Sequence, residues 1–385
     1  MNFKVNKGPF LRNKRSTTSI MLELFAVLCV IWGVSIGYYA YTLNLAAGLR
    51  VFSIGAISIV TTLLIDVIVS LFKGKRKIKD ILSFVLKSYS YVTAIIFALC
   101  LPAGTSYYVV VIGSLVATLI GKYVFGGFGN NIFNPAIIGR IFVGLSFGDK
   151  LNTLKVVNKT GVDVSTGGTL TASIDWVSGK SSETNNLIDM FLGDYQGAIG
   201  ETFTALLIVA GIYLIIRGIV NYRLMIGYLL TATLCSFGIA LVNNKVGFDS
   251  MGEYLLTTIS TGGLMFASVF MITDPVTSPK SQDGKIIYAS LAGFLAIFIR
   301  VFSSYPEGVM FSIALANMVT PLIDSSIKGN TFEHLTKRYI RIVSVIVICF
   351  GLSCAYAALE NVEESETAQV YQENNILDIG GVVNE

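Results

Sequence analysis

Apolar runs, each about the length of a bilayer-crossing helix, recur along the chain and leave few polar residues between them. About 20 apolar residues cross a hydrocarbon core as a helix. By that measure the chain predicts spans at 20–41, 50–72, 89–102, 107–124, 133–147, 198–217, 224–242, 254–272, 286–302, 309–325 and 340–358. Two of these are short for a simple crossing. The run 89–102 stops at Leu101-Pro102, and 133–147 begins just after a glycine-rich loop, so both read as broken or re-entrant segments. The expected fold class is an all-α polytopic membrane protein.

The basic residues orient these spans. Lys4, Lys7, Arg12, Lys14 and Arg15 precede the first, and Lys73, Lys75, Arg76, Lys77 and Lys79 separate the second from the third. Arg217 and Arg223, and then Lys328, Lys337, Arg338 and Arg341, form two further groups. An eleven-span count puts all of them on one side, which the positive-inside rule makes the cytoplasm. The resulting expectation is a multi-pass protein of a bacterial inner membrane with a cytoplasmic N-terminus. It divides into a basic N-terminus (1–19), a first membrane repeat (20–147) and an extracytoplasmic loop (148–196). A second membrane repeat (197–325), a cytoplasmic linker with an extra helix (326–358) and an acidic extracytoplasmic tail (359–385) follow. No signal peptide is expected, because the span after the basic stretch is too long for one.

Composition narrows the chemistry. Hydrophobic residues make up 53% of the 385 and charged residues 14%, against about 25% charged in soluble domains. The net charge of +4 marks no nucleic-acid binder, because the basic residues flank membrane segments. Cys29, Cys100, Cys235, Cys349 and Cys354 lie in apolar stretches without a CxxC pair, so they read as small hydrophobes rather than disulfides. With His334 as the single histidine, a histidine-rich metal site is excluded, and no metal ligands are assigned.

The spans also fall into two groups of opposite orientation, 1–5 and 6–10. Each holds a Gly/Pro-interrupted element: Phe125-Gly-Gly-Phe-Gly-Asn-Asn-Ile-Phe-Asn-Pro135 and Thr273-Asp-Pro-Val-Thr-Ser-Pro279. Paired interruptions in oppositely oriented halves are the pattern of inverted repeats around a central site. Two inverted five-helix repeats plus an extra C-terminal helix are therefore expected.

Several segments could carry chemistry. In the first element, glycines permit close backbone approach, and Pro135 can open a helix whose freed N–H groups face a polar or anionic ligand. A tight turn between packed helices explains the same glycines. Asn131 and Asn134 lie in this element, and Arg140, one turn on, is a costly residue in an apolar helix. In the second element Asp274, Thr277 and Ser278 are candidates, although Asp274 also suits a simple cap. Glu307, in Tyr305-Pro-Glu-Gly308, reads as a solvated turn residue or a site residue at the far interface. Asp66 lies about two turns inside its span and is the stronger intramembrane carboxylate, whereas Glu23 is close enough to a helix start to reach interfacial water. The segment Asp163-Val-Ser-Thr-Gly-Gly-Thr169 reads as a small-residue turn, with a hydroxyl accessible to a modifying enzyme. It has no nucleophile–base pair for hydrolysis.

Together with Gly197-Ala-Ile-Gly-Glu201, Tyr305-Pro-Glu-Gly308 and Pro321-Leu-Ile-Asp324, the two interrupted elements form five blocks in order over residues 125–324. In these the chain resembles the family that holds the D-type subunit of the Rnf ion-translocating ferredoxin:NAD oxidoreductase and the B-type subunit of the sodium-translocating NADH:quinone reductase. The Asp-Pro-Val-Thr-Ser-Pro and Pro-Leu-Ile-Asp blocks favour the Rnf branch, while Met190-Phe-Leu-Gly193 also suits the other. The resemblance implies a subunit of an electron-transport translocase, not catalytic alone, that carries FMN by a phosphoester on a threonine. Asp163, Thr166 and Gly167 match the attachment motif, Gly168 replaces the usual alanine, and Thr169 holds the acceptor position, with Thr166 and Thr171 as neighbouring competitors. It also implies a second, non-covalent flavin such as riboflavin. The implied partners are a second FMN-carrying subunit, iron–sulfur subunits, a flavin transferase, and Na⁺ or H⁺. Residues 326–385 depart from the family pattern. A non-redox inverted-repeat transporter or channel is the competing reading.

Overall fold

The computed structural model describes residues 15–151, 174–175, 180–181, 191, 197–243, 251–303, 308–327 and 339–359. These are helical apart from their connections and one two-residue strand pair, Ile174–Asp175 with Lys180–Ser181. The chain is a multi-pass membrane protein. Among the described residues six helices are long and apolar enough to cross a bilayer, or seven if one bent pair counts as a span.

The first half opens with α1 (Thr17–Thr42) and α2 (Leu45–Phe72), started by side-chain caps from Ser16 and Asn44. Their outward faces are as apolar as their inward ones, with Leu22, Val30, Leu49, Phe52, Val60 and Leu64 exposed. Such helices are apolar all round because lipid replaces water on the outer side. Small residues allow the close contacts between helices. A side chain at Gly55 would collide with the Trp32 ring at 2.4 Å, and that indole donates to the Val51 carbonyl at 3.2 Å.

The expected short span 89–102 is α4 (Ser90–Leu99). A further helix, α3 (Ile78–Ser88), precedes it, and the two are bent by 46° at Tyr89. Tyr89 has φ 55°, a left-handed conformation rare for a bulky residue. After α4 the chain turns through Leu101–Ser106 into α5 (Tyr107–Thr118), which continues as a π-helical turn over Leu119–Tyr123. Short α6 (Pro135–Ser146) completes this half.

The second half repeats the order. It has α7 (Thr204–Ile216), α8 (Tyr222–Asn243), a broken pair α9 (Met251–Ser260) and α10 (Leu264–Phe270), then α11 (Gln282–Phe302) and α12 (Gly308–Ser326). The expected continuous span 254–272 is therefore two short helices. Gly262 and Gly263, at φ 65° and 71°, break it, because residues with a Cβ rarely adopt that backbone. The matching order of elements is consistent with inverted repeats. Segment 197–203 joins the halves: Ile199 N–H donates to Leu101 O at 3.0 Å, Gly200 N–H to Leu99 O at 2.8 Å, and Ser35 Oγ to Ile199 O at 2.9 Å.

The expected extra helix is α13 (Tyr339–Leu359). It packs on the second half through Tyr356, whose ring lies 4.4 Å from Phe302 and 5.1 Å from Phe298.

Candidate functional site

The interrupted element of the first half is a loop whose shape depends on glycine. Gly126, Gly127 and Gly129 have φ of 108°, 103° and 91°, values that exclude most side chains. The loop ends at Asn134, whose Oδ1 accepts from Ala136 N–H at 3.1 Å, and Pro135 takes the first helical position of α6. Asn134 O also accepts from Ile137 and Ile138 N–H. The first-turn donors, expected to face a ligand, are thus largely engaged by the asparagine itself. Asn131 is held by donation to Phe133 O at 3.0 Å.

In the second half the element Thr273–Pro279 leads from α10 to α11. Asp274 Oδ1 accepts from Val276 N–H at 3.0 Å, and Asp274 O accepts from Ser278 N–H at 3.2 Å. The α12 helix fixes this loop from behind. Thr320 Oγ1 donates to Thr277 O at 3.1 Å, and Lys280 N–H donates to Asp324 Oδ1 at 3.0 Å. That contact gives the Pro321-Leu-Ile-Asp324 block a local purpose.

Both loops line one partly open pocket between the halves. Asn131, Asn134 and Pro135 line it from the first half, and Thr273, Asp274, Pro275 and Val276 from the second. Tyr89, Phe128, Phe270, Val92, Ile96 and Met21 supply the apolar wall, and Thr93 and Lys122 the remaining polar edge. Ile219, Val220, Thr273 and Pro275 also border an adjoining groove with Arg223, Gln282 and Lys285.

Beside the cavity is a buried polar cluster. Asp66, fully buried, accepts from Ser90 Oγ at 2.8 Å, from the Tyr123 hydroxyl and from Ser88 Oγ. Lys122, 2% exposed, donates to Ser90 Oγ at 2.6 Å and to the Ser88 carbonyl. Ser90 therefore links the ammonium to the carboxylate. The π-turn places both Lys122 and Tyr123, adjacent in sequence, on this cluster; such turns are frequent at functional sites. Gly121 sits against Pro135, where a Cβ would come within 2.9 Å of its Cα, so α6 approaches the π-turn closely.

The remaining candidates lie elsewhere. Arg140 is buried at the other end of the fold, donating from Nε to Cys100 O at 2.9 Å and bordering a small pocket with Glu201, Gly262 and Gly263. Ser278 borders the outer groove, and buried Thr277 meets α12 through its backbone carbonyl, which accepts from Thr320. Glu23 forms an ion pair with Arg217 across the halves. Glu307, Asp163, Thr166, Gly167, Gly168 and Thr169 lie outside the described residues.

Lys122, Tyr89, Phe128 and Thr93 line the cavity without having been expected there. The lysine does carry a signal: a cation inside the run Leu119-Ile-Gly-Lys-Tyr-Val124 is as costly as Arg140 in its helix. Tyr89 carries no signal in its residue type, since its role follows from a backbone bend.

The NQR2, RnfD, RnfE family model matches residues 4–333. The chain belongs to this family. It is 32% identical over 334 residues to the D-type subunit of the proton-translocating ferredoxin:NAD(+) oxidoreductase complex of Clostridium ljungdahlii, covering 84% of this chain and 93% of that one. It is 30% identical over 338 residues to the D-type subunit of the Na(+)-translocating ferredoxin:NAD(+) oxidoreductase complex of Acetobacterium woodii, covering 86% and 96%. The B-type subunit of the Na(+)-translocating NADH-quinone reductase of Ectopseudomonas mendocina is 34% identical, but over 241 residues, 61% of this chain and 58% of that one.

Proposed function

We propose that this chain is the membrane flavoprotein subunit of an ion-translocating ferredoxin:NAD oxidoreductase-type complex, carrying covalent FMN on Thr169 and a second, non-covalent flavin in the cavity between the halves. The observation that carries the reading is the convergence of two sequence-distant loops on that cavity: Asn131 and Asn134 from one half, Asp274 from the other. Cofactor sites have mostly apolar walls with a few placed polar groups. An aromatic and aliphatic wall with amides, a threonine hydroxyl, a carboxylate and an ammonium at its edge suits a flat heteroaromatic ring with a hydrogen-bonding rim. A flavin supplies electron uptake and release; the chain supplies position and electrostatics. In this division Asn131 and Asn134 orient the ring edge, Tyr89 and Phe128 shield it from water, and Asp66 with Lys122 serves the ion side.

The coverage of the ferredoxin-type relatives, about nine-tenths of their length, favours that branch over the quinone-reductase branch. Those two relatives are named for different ions, and the coupling ion is left as Na⁺ or H⁺. In the proposed arrangement the N-terminus and the 73–79 segment face the cytoplasm, and 148–196 and the tail face outward. Iron–sulfur subunits, a second FMN-carrying subunit and a flavin transferase are the partners.

The test is flavin fluorescence in the denatured gel band. Thr169→Val removes the hydroxyl that a phosphoester needs and retains the shape, so the band should lose its fluorescence while the complex still assembles. Loss in Thr166→Val or Thr171→Val instead moves the attachment site. A wild-type band without flavin, despite a co-expressed transferase, rejects the redox reading in favour of a transporter or channel. A cysteine at Ser165 should react with an impermeant thiol reagent on intact cells; labelling only after lysis reverses the topology.

A further inference from the structure

Lys122 is out of place if the cavity needs only a neutral polar edge. An ammonium in a membrane-embedded protein interior is expensive and persists where charge nearby compensates it. Here the compensation is arranged at one remove. Ser90 Oγ accepts from Lys122 at 2.6 Å and donates to Asp66 at 2.8 Å, and the Ser88 carbonyl accepts a second hydrogen bond from the ammonium. The carboxylate is surrounded by hydroxyl donors from Ser88, Ser90 and Tyr123. The Ser90 hydroxyl thus separates the carboxylate from the ammonium while bonding to both. Lys122 lines the cavity, as does Asp274 from the other half.

We infer that Lys122 is the residue that sets the reduction potential of the ring held in this cavity, by stabilising its reduced, anionic form, with Asp66, Ser88, Ser90 and Tyr123 as positioning residues for the ammonium. This rests on the flavin reading of the cavity. One electron added to a ring that takes up no proton adds one negative charge. The ammonium beside it exchanges no proton and offsets that charge through a low-dielectric medium, where such interactions are strong. Asp274, which lines the same cavity, acts in the opposite sense. Without Lys122 the cavity would favour the oxidised ring, so the chain's own charges decide how readily the ring is reduced. Selection follows as well: occupants that become anionic are favoured over those that stay neutral or become cationic.

The experiment is a dithionite titration of the purified complex, followed optically, for wild type, Lys122→Met and Lys122→Arg. Flavin released on denaturation is counted separately from flavin retained on the chain. The covalently held flavin is the internal control. Lys122→Met should keep the releasable flavin and make its one-electron reduction equilibrium at least tenfold less favourable, about 59 mV more negative, with the retained flavin unshifted. Lys122→Arg should recover most of the shift, and Ser90→Ala, which removes a positioning acceptor of the ammonium without changing charge, should reproduce part of it. A releasable flavin whose potential is unchanged in Lys122→Met overturns the inference and leaves the cavity reading intact. Equal shifts of both flavins overturn it too, since a general change in the complex would then be responsible. No releasable flavin in the wild type overturns the cavity reading and this inference with it. Should Lys122→Met lose the releasable flavin, recovery of flavin in Lys122→Arg supports the charge argument, and failure to recover it defeats that argument.

Discussion

The two halves meet the same structural problem in similar ways and then diverge where they face each other. Each breaks a helix within the membrane-embedded fold, which strands carbonyl groups away from water. Such backbone is tolerated only where it is satisfied inside the protein. In the first half the Ser88 carbonyl, at the break, accepts from Lys122, and Arg50 donates to Ala103 O at 3.1 Å and Gly104 O at 3.0 Å in the turn after α4. In the second, Arg300 donates to Thr258 O at 2.7 Å, Thr261 O at 3.0 Å and Gly262 O at 3.3 Å. At the cavity the likeness ends. The first half brings two asparagines and the Asp66–Ser90–Lys122 cluster; the second brings Asp274 and an apolar shoulder. Shared features maintain the fold, and the features present in one half alone are the better candidates for function.

The comparison is most severely tested at Arg300, which is almost wholly buried. Arg300→Met leaves its carbonyl acceptors unpaired, at about 1–3 kcal/mol each. Folded protein should fail to accumulate, as read by size-exclusion chromatography of a fluorescent fusion. Arg50, which is half-buried, should tolerate the same change with reduced yield. Equal tolerance at both sites would mean that the arginines do not support the break and the turn they meet.

Asp66→Asn comes next. It leaves the Lys122 ammonium without its counter-charge, a loss of roughly 3 kcal/mol on the scale of broken buried pairs. The melting temperature should fall clearly, and Asp66→Asn combined with Lys122→Met should recover much of it. A double variant no more stable than the single one would show that the two residues are not coupled.

Much of the scaffold is legible in the sequence because lipid imposes simple rules. Apolar length marks α1, α2, α8, α11, α12 and α13, and Leu101-Pro102 marks the early end of α4. The break at Gly262-Gly263 is not marked, since glycine is common inside membrane helices and the run stays apolar through it. At the site, the interrupted helices point to Asn131, Asn134 and Asp274, and these do share a cavity. Arg140, Thr277 and Ser278 are candidates by the same reasoning and lie elsewhere. Polarity within an apolar run signals that a partner exists but does not say whether it is a ligand or a stranded carbonyl. Lys122 and Asp66 meet only through a bend at Tyr89 and a π-turn, neither of which follows from residue type.

A smaller effect on stability is expected at Asp274. Its side chain's structural contact in the loop is one accepted bond from Val276 N–H, which an asparagine oxygen can also accept. Asp274→Asn should therefore change stability by about 1 kcal/mol or less, while the amount of releasable flavin or its potential changes. A large melting shift with unaltered flavin would reassign Asp274 from the site to the scaffold.

The smallest effect is expected where the halves are joined by charge. Arg217 at the end of α7 meets Glu23 of α1 through Nε and through Nη2, the latter at 3.1 Å. Arg15 lies 3.8 Å from the same carboxylate, and the Tyr213 hydroxyl donates to it at 2.9 Å. This geometry is good, but the pair lies near the basic ends of the helices and Arg217 is exposed, so solvent and salt screen it. The stronger joint is the buried backbone pairing of Ile199 and Gly200 with Leu101 and Leu99. Glu23→Gln should therefore lower the melting temperature less than Asp66→Asn does. The difference from wild type should shrink as salt is raised, and reversing the pair with Glu23→Arg and Arg217→Glu should restore most of it. If Glu23→Gln instead prevents folding as Arg300→Met is expected to, the halves are held together at their charged ends, and the buried pairing at segment 197–203 is secondary.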